Sequence, residues 1–317
     1  MIRNWNKNQN FKEGNMSEIR FDGRVAIVTG GGAGLGRSYA LEFAKRGAKV
    51  VVNDLGGSRD GSGASHSAAD VVVNEIKALG GQAVANYDSV STGAGGESIV
   101  KTAVDAFGKV DILINNAGIL RDKSFGKMTD EEWDLVNSVH LRGAYCVTKP
   151  AFNVMRENQY GRIVCTTSGA GLYGNFGQAN YSAAKMGVVG LMNVLNIEGA
   201  KYNIKTNTIA PVAASRLTED VLPPDLFTKL KPDYVMPIVL FLASEANQDS
   251  GMIFNCGAGW YSRTAIVCAK GVTIGDGKRL IKPEEIQDNW NTIKALDEAK
   301  PLGSVGDSFA FMMPLLQ

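Results

Sequence analysis

Ser168, Tyr181 and Lys185 are the residues best placed to do chemistry together. Lys185 follows Tyr181 by four positions, and an i, i+4 pair shares one face of a helix. A phenol ionises at about pH 10 in water, and a neighbouring cation lowers that value. The spacing therefore predicts a Tyr181 acidic enough to exchange a proton with a substrate oxygen near neutral pH. Ser168 is expected to hydrogen-bond the same oxygen, and Lys185 to reach the ribose of a nucleotide cofactor as well. Taken singly, a serine at a strand end is a turn residue and a Tyr-Lys pair is common on amphipathic helices. Their weight comes from what precedes them in the chain.

Thr29-Gly30-Gly31-Gly32-Ala33-Gly34-Leu35-Gly36 lies where an apolar run gives way to a helical pattern. Glycines let the backbone take unusual dihedrals beside a pyrophosphate, and a helix N-terminus presents free N–H groups to it. Gly30, Gly34, Leu35 and Gly36 are the expected contacts. Asp54 follows at the end of the next apolar run. A carboxylate there accepts the adenosine ribose hydroxyls and repels a 2′-phosphate, which favours NAD over NADP. Arg59, nearby in the chain, is the residue that could reverse that preference. Asp88, Ser89 and Val90 end a third run and suit the adenine. Asn116, Ala117 and Gly118, within Asn115-Asn116-Ala117-Gly118, end a fourth and leave room for the cofactor to pass. No nucleophile or metal is required, because the cofactor carries the hard chemistry.

The elements that must position these residues are legible as an alternation. Residues 24–29, 48–54, 83–86, 110–114, 162–167 and 205–209 read as short buried strands. Residues 35–46, 69–79, 99–107, 130–155 and 182–202 read as helices. The fold expected is α/β, a doubly wound parallel sheet of Rossmann type with helices on both faces. Residues 56–67, rich in Gly and Ser, read as a long flexible loop. Three regions are expected: a disordered arm over 1–20, the dinucleotide-binding domain over 21–260, and a small C-terminal extension over 261–317 that packs on the core or on a partner. Lys282-Pro283 opens a helix there with Ile286, Trp290 and Ile293 on one face.

Composition excludes several classes. Lys and Arg number 33 against 32 Asp and Glu, a net charge of +1, so no excess charge points to nucleic acid or to an anionic membrane. The strongest apolar stretch, 234–243, is too short to span a bilayer. Cys146, Cys165, Cys256 and Cys268 are scattered and read as reduced core residues. With only His66 and His140 in the chain, no metal site is expected.

Thr-Gly-x-x-x-Gly-x-Gly at 29–36, Asn-Asn-Ala-Gly at 115–118 and Ser168, Tyr181 and Lys185 resemble the short-chain dehydrogenase/reductase family over roughly residues 21–260. The segments VVVNDLGG (50–57), NNAGILRD (115–122), VHLRGAY (139–145), YGNFGQANYSAAK (173–185) and KPEEIQDNW (282–290) are similar to the (3R)-hydroxyacyl-CoA dehydrogenase domains of the type 2 multifunctional enzymes of peroxisomal β-oxidation. That resemblance implies NAD-dependent oxidation of a (3R)-hydroxyacyl-CoA to the 3-ketoacyl-CoA. It also implies a homodimer, fusion to or association with hydratase or sterol-carrier-like domains, and a peroxisomal location, although the chain ends Leu315-Leu316-Gln317 and not in a peroxisomal tripeptide. His140 stands where many family members carry an Asn supporting a water chain to the lysine, which implies a supporting catalytic role. Backbone groups of Val212, Ala213, Ala214 and Ser215 are expected at the nicotinamide carboxamide, and 216–231 as a substrate flap. The rival readings are an NADPH-dependent 3-ketoacyl reductase, a 17β-hydroxysteroid dehydrogenase and a silent cofactor-binding scaffold.

Overall fold

Strand β1 (Val25–Thr29) sends Ala26 and Val28 to one face and Val25 and Ile27 to the other, and all four are fully buried. That is the two-residue period of a strand covered on both sides. Val25, Ile27 and Val28 each contribute roughly 1.5–3 kcal/mol by burial. A computed structural model describes residues 17–58, 60–63, 65–213 and 229–313. Arg59, Ala214, Ser215 and most of the expected flap lie outside the described residues.

The chain continues through α1 (Gly34–Lys45), β2 (Lys49–Asn53), α2 (Ser67–Ala78), β3 (Gln82–Asn86), α3 (Gly93–Phe107) and β4 (Ile112–Asn115). Then come α4 (Asp130–Asn137), α5 (Gly143–Glu157), β5 (Gly161–Thr166), α6 (Gly169–Tyr173), α7 (Ala179–Gly199) and β6 (Ile204–Pro211). Helix α8 (Met236–Ala243) leads to β7 (Ile253–Gly257) and β8 (Trp260–Thr264). The sheet order is β3-β2-β1-β4-β5-β6-β7-β8. Neighbours pair in parallel except β8, which runs antiparallel to β7. Residues of α1, α2 and α8 bury one face with Ala26, Val28, Val50 and Val52. Residues of α3, α5 and α7 bury the other with Val25, Ile27 and Val51. The chain leaves β1 in one direction to β2 and β3 and in the other to β4 and β5, so the switch point lies between β1 and β4, where a ligand crevice is expected.

Four expectations need correction. The helix expected over 130–155 is interrupted by a π turn at Ser138–Arg142. A single wide turn leaves no mark in an apolar period, and such turns gather at functional sites. The six expected strands are joined by two more, β7 and β8, which extend the sheet. They form a hairpin whose two loop residues, Ala258 (φ +49) and Gly259 (φ +80), both take left-handed backbone, the twist that suits a two-residue loop. The helix opened by Lys282-Pro283 breaks at Asn289 into α9 (Pro283–Asp288) and α10 (Trp290–Ile293), before α11 (Val305–Phe309). Finally, Cys268 is only half-buried, in the two-residue strand β9 (Val267–Cys268) paired with β10 (Lys300–Pro301), whereas the other three cysteines are buried. All four are free thiols.

Candidate active site

The glycine turn joins β1 to α1. Gly30 (φ +62) and Gly34 (φ +52) hold left-handed backbone. Gly36 is required for space, since a Cβ there would lie 2.1 Å from the Gly30 carbonyl oxygen. Ala33 gives α1 no side-chain cap, which leaves the first N–H groups of the helix to a ligand. Asp54 ties the turn to the neighbouring strand: its Oδ2 accepts from Gly32 N at 2.8 Å and its Oδ1 from Gly56 N at 2.7 Å. Thr29 Oγ1 accepts from Asn116 N (3.0 Å) and Ala117 N (3.2 Å), and Asn116 Nδ2 donates to the carbonyls of Thr29 and Gly30. The Asn-Asn-Ala-Gly turn is thereby stitched to the glycine turn across the switch point.

These turns enclose a crevice of about 260 Å³. Gly30, Gly34, Leu35, Asp54, Asp88, Ser89, Val90, Asn116, Ala117 and Gly118 all line it, while Gly36 sits behind the wall. Asp88 Oδ2 accepts from Asn86 Nδ2 and Ser98 Oγ, which fixes the carboxylate at the rim. A phosphate cradle of glycines, an uncapped helix start and a ribose-height carboxylate fit a dinucleotide.

The reacting side chains meet outside that lining, where Lys185 borders a small cavity that shares Val90, Ala117 and Val139 with the crevice. Ser168 ends its strand as the N-cap of α6, where its Oγ accepts from Ala170 N at 3.2 Å. Its own proton remains available to a second acceptor. Tyr181 and Lys185 both rise from α7, and the ammonium lies 5.5 Å from the Tyr181 ring centroid. Lys185 is buried and donates to the Thr166 carbonyl at 2.7 Å. The expected acidity does not follow from this geometry. Burial raises the Tyr181 phenol, with only the neighbouring Ser168 hydroxyl opposing it. Lys185 faces the ring and the Thr166 carbonyl, and burial drives its own value down to about 7, so near neutrality only part of a charge is available to favour the phenolate.

His140, carried by the π turn, is buried and stands edge-on to Tyr181 with ring centroids 5.0 Å apart. Its Nε2 lies 2.8 Å from the Ile119 carbonyl and 3.1 Å from the Ile119 N–H, so Ile119 can serve either tautomer of the ring. Burial first, then the nearby Lys185, hold its pKa well below the usual histidine value. The neutral ring leaves its Nδ1 to a partner from outside the protein. That atom and Thr166 Oγ1 have no protein partner. With Lys185 they border a cavity of about 10 Å³, the size of a single water site.

Of the remaining expected contacts, Ala213 is buried and Val212 is half-exposed, its N–H taken by the Cys256 carbonyl at 2.8 Å. Ala214 and Ser215 lie outside the described residues. Sequence reasoning missed Asn53, whose buried amide donates to Asn86 Oδ1 and the Asp88 carbonyl (2.9 Å each) and so joins two strand ends beneath the crevice. It also missed Asn180, whose Nδ2 donates to the carbonyls of Arg121 and Glu132 at 3.0 Å each. A polar residue placed immediately before Asp54, and another before Tyr181, was the available signal. Among the described residues no cluster of His, Cys, Asp or Glu could hold a metal, and no helix is long and apolar enough to cross a membrane.

With this geometry in view, residues 24–220 match the sequence pattern of the family described as short chain dehydrogenase. The chain is 57% identical over 290 residues to the peroxisomal multifunctional enzyme A of Dictyostelium discoideum, covering 92% of this chain and 64% of that protein. It is 52% identical over 300 residues to the peroxisomal multifunctional enzyme type 2 of Mus musculus, covering 95% of this chain and 40% of that one. The solved full-length peroxisomal multifunctional enzyme type 2 of Drosophila melanogaster superimposes with a TM-score of 0.79 at 42% identity, over 94% of this chain and 50% of that one. The chain thus spans roughly half the length of such relatives.

Proposed function

The chain belongs to the short-chain dehydrogenase family, and on that premise we propose that it oxidises (3R)-3-hydroxyacyl-CoA esters to 3-ketoacyl-CoA esters with NAD. The observation that carries the reading is the meeting of Ser168, Tyr181 and Lys185, with the Ser168 hydroxyl acting on the Tyr181 phenol and the Lys185 ammonium 5.5 Å from the Tyr181 ring, beside a glycine-walled crevice that Asp54 borders.

The turn over Gly30–Gly36 and the start of α1 would hold the pyrophosphate, Asp54 the adenosine ribose, Asp88 to Val90 the adenine, and Asn116 to Gly118 with Val212 and Ala213 the nicotinamide side. NAD held in this way would supply the acceptor for the hydride of the substrate carbinol carbon. Tyr181 takes the hydroxyl proton as general base. Ser168, its oxygen occupied by Ala170 N, donates to the same substrate oxygen and orients it. Lys185, at about 7, exchanges a proton within the working range and favours the phenolate while charged. His140, its Nδ1 unpartnered within the protein, borders the small cavity beside Lys185, a supporting place on a proton path. Asp54 repels a 2′-phosphate, which argues against the NADPH-dependent reductase.

The names of the relatives support a peroxisomal, multifunctional setting, and the same reading takes the chain as one unit of a homodimer working with hydratase-type domains. Initial rates with NAD and a panel of (3R)- and (3S)-3-hydroxyacyl-CoA esters test the reading. Turnover is expected with the 3R esters, and Tyr181→Phe should lower it on the order of a thousandfold, as for loss of an acid–base group, with NAD still bound. A preference for the 3S esters or for NADP overturns it.

A further inference from the structure

The Gly/Ser-rich loop between β2 and α2 is not free chain. Its neck is closed by Ser65 N donating to the Leu55 carbonyl at 3.0 Å and by Gly56 N on Asp54, the form of a compact surface loop whose ends meet. Its tip is organised around the Asp60 carboxylate. Ser62 N (3.0 Å), Ser62 Oγ (2.7 Å) and Ser58 Oγ (2.5 Å) all donate to Oδ1 and hold the acid well below the usual carboxylate range.

The tip does not stay on the β2 side where it began. Arg121, just past the Asn-Asn-Ala-Gly turn, donates from Nε to the Asp60 carbonyl at 2.6 Å, with its guanidinium 3.7 Å from the carboxylate. Gly61 (φ +84) sits so close to the β4 side that a Cβ there would lie 3.0 Å from Ile119 and 3.6 Å from Leu135. Gly57, Ser58 and Gly61 line the same crevice as Gly34, Asp88 and Asn116. The loop therefore crosses the crevice from one wall to the other.

We infer that this loop is a strap across the nucleotide crevice and that Arg121 is the positioning residue that latches it, so that release of the Arg121–Asp60 contact sets the rate at which nicotinamide nucleotide leaves. The inference rests on the dehydrogenase reading for the identity of the nucleotide. The latch is anchored on its own main chain: the Arg121 carbonyl accepts from Asn180 Nδ2, and Asn180 Oδ1 accepts from Tyr181 N. Removing the guanidinium frees the strap and leaves the mooring of the catalytic helix in place.

Stopped-flow displacement of NADH from the full chain provides the test. Arg121→Ala should release NADH about tenfold faster, the scale of one charge-assisted hydrogen bond at a partly exposed site, and Arg121→Lys should fall between it and the parent. Gly61→Val, which lifts the tip through Ile119 and Leu135 without touching Arg121, should also speed release. Single-turnover hydride transfer at saturating NAD should be nearly unchanged in the two Arg121 variants, which a general loosening of the site would not allow. NADH leaving Arg121→Ala and Gly61→Val at the parental rate overturns the strap. Because displacement uses no acyl-CoA, a protein that holds NADH but ignores 3-hydroxyacyl-CoA esters would refute the substrate reading and leave the strap intact.

Discussion

Lys185 has two consequences that pull in opposite directions. Burial lowers its amine from 10.5 to about 7. Between those values the unfolded chain carries a proton that the native protein does not, so stability rises with pH across that window. Below it, the native state must hold a buried ammonium and bears the whole cost, a few kcal/mol at about 1.4 kcal/mol per pKa unit. Lys185→Met should therefore raise the unfolding midpoint at pH 6, with a gain that shrinks toward pH 10, while turnover collapses. Calorimetric melts at the two pH values check this, and a variant less stable than the parent at both would show that the amine stabilises the fold. The identities of Ser168, Tyr181 and Lys185 were legible from type and spacing. The direction of the Tyr181 shift was not, because spacing reports that a cation is near and says nothing of how far both groups are withdrawn from water. Burial, which raises the phenol, is a property of the closed sheet and not of the helix that carries the pair.

At the scale of elements, the π turn at Ser138–Arg142 and the turn after β4 form one unit. The His140 ring fills the space that a side chain at Gly118 would need: a Cβ there would lie 2.4 Å from Cε1. Gly118→Ala should consequently displace His140 from Ile119 and destabilise the protein by roughly 1–3 kcal/mol, the usual cost of overpacking, and should slow turnover. Gly126→Ala, with nothing within 4 Å of the added Cβ, should be silent in both measurements. Equal behaviour of the two variants in melts and initial rates would separate the π turn from the site. The helix-to-helix register here was hidden from sequence reading because one extra residue in a turn does not disturb an apolar period long enough to be noticed. The strap was hidden for a related reason. Its composition is that of a flexible linker, and its order comes from Asp60 and Arg121, which are 61 positions apart.

Taken whole, the molecule divides by what each part contributes to the two buried layers. Six of the eight sheet strands were readable as apolar runs with helical stretches between them. The last two were not, since β8 is an exposed edge whose residues are mostly polar or aromatic and outward. Beyond it the balance changes. Among the described residues, neither of the two main cores includes any residue after Cys256. Large apolar side chains of the tail stand open instead, with Leu280 93%, Leu296 67% and Val305 75% exposed. The tail's own helices are short, and its contacts are local, as in the Glu285 carboxylate held at about 2 by Arg279 and the Lys282 N–H. A segment that adds so little buried area to the sheet layers cannot be a main source of their stability, since burial of apolar surface supplies most of the favourable free energy. A chain ending after Thr264 should thus unfold with a midpoint close to that of the full chain and bind NADH with comparable affinity, measured by calorimetry and by fluorescence titration. Loss of cooperative unfolding in the shortened chain would mean that the apolar side chains of the tail, open in this single chain, are buried against the sheet domain in the working protein.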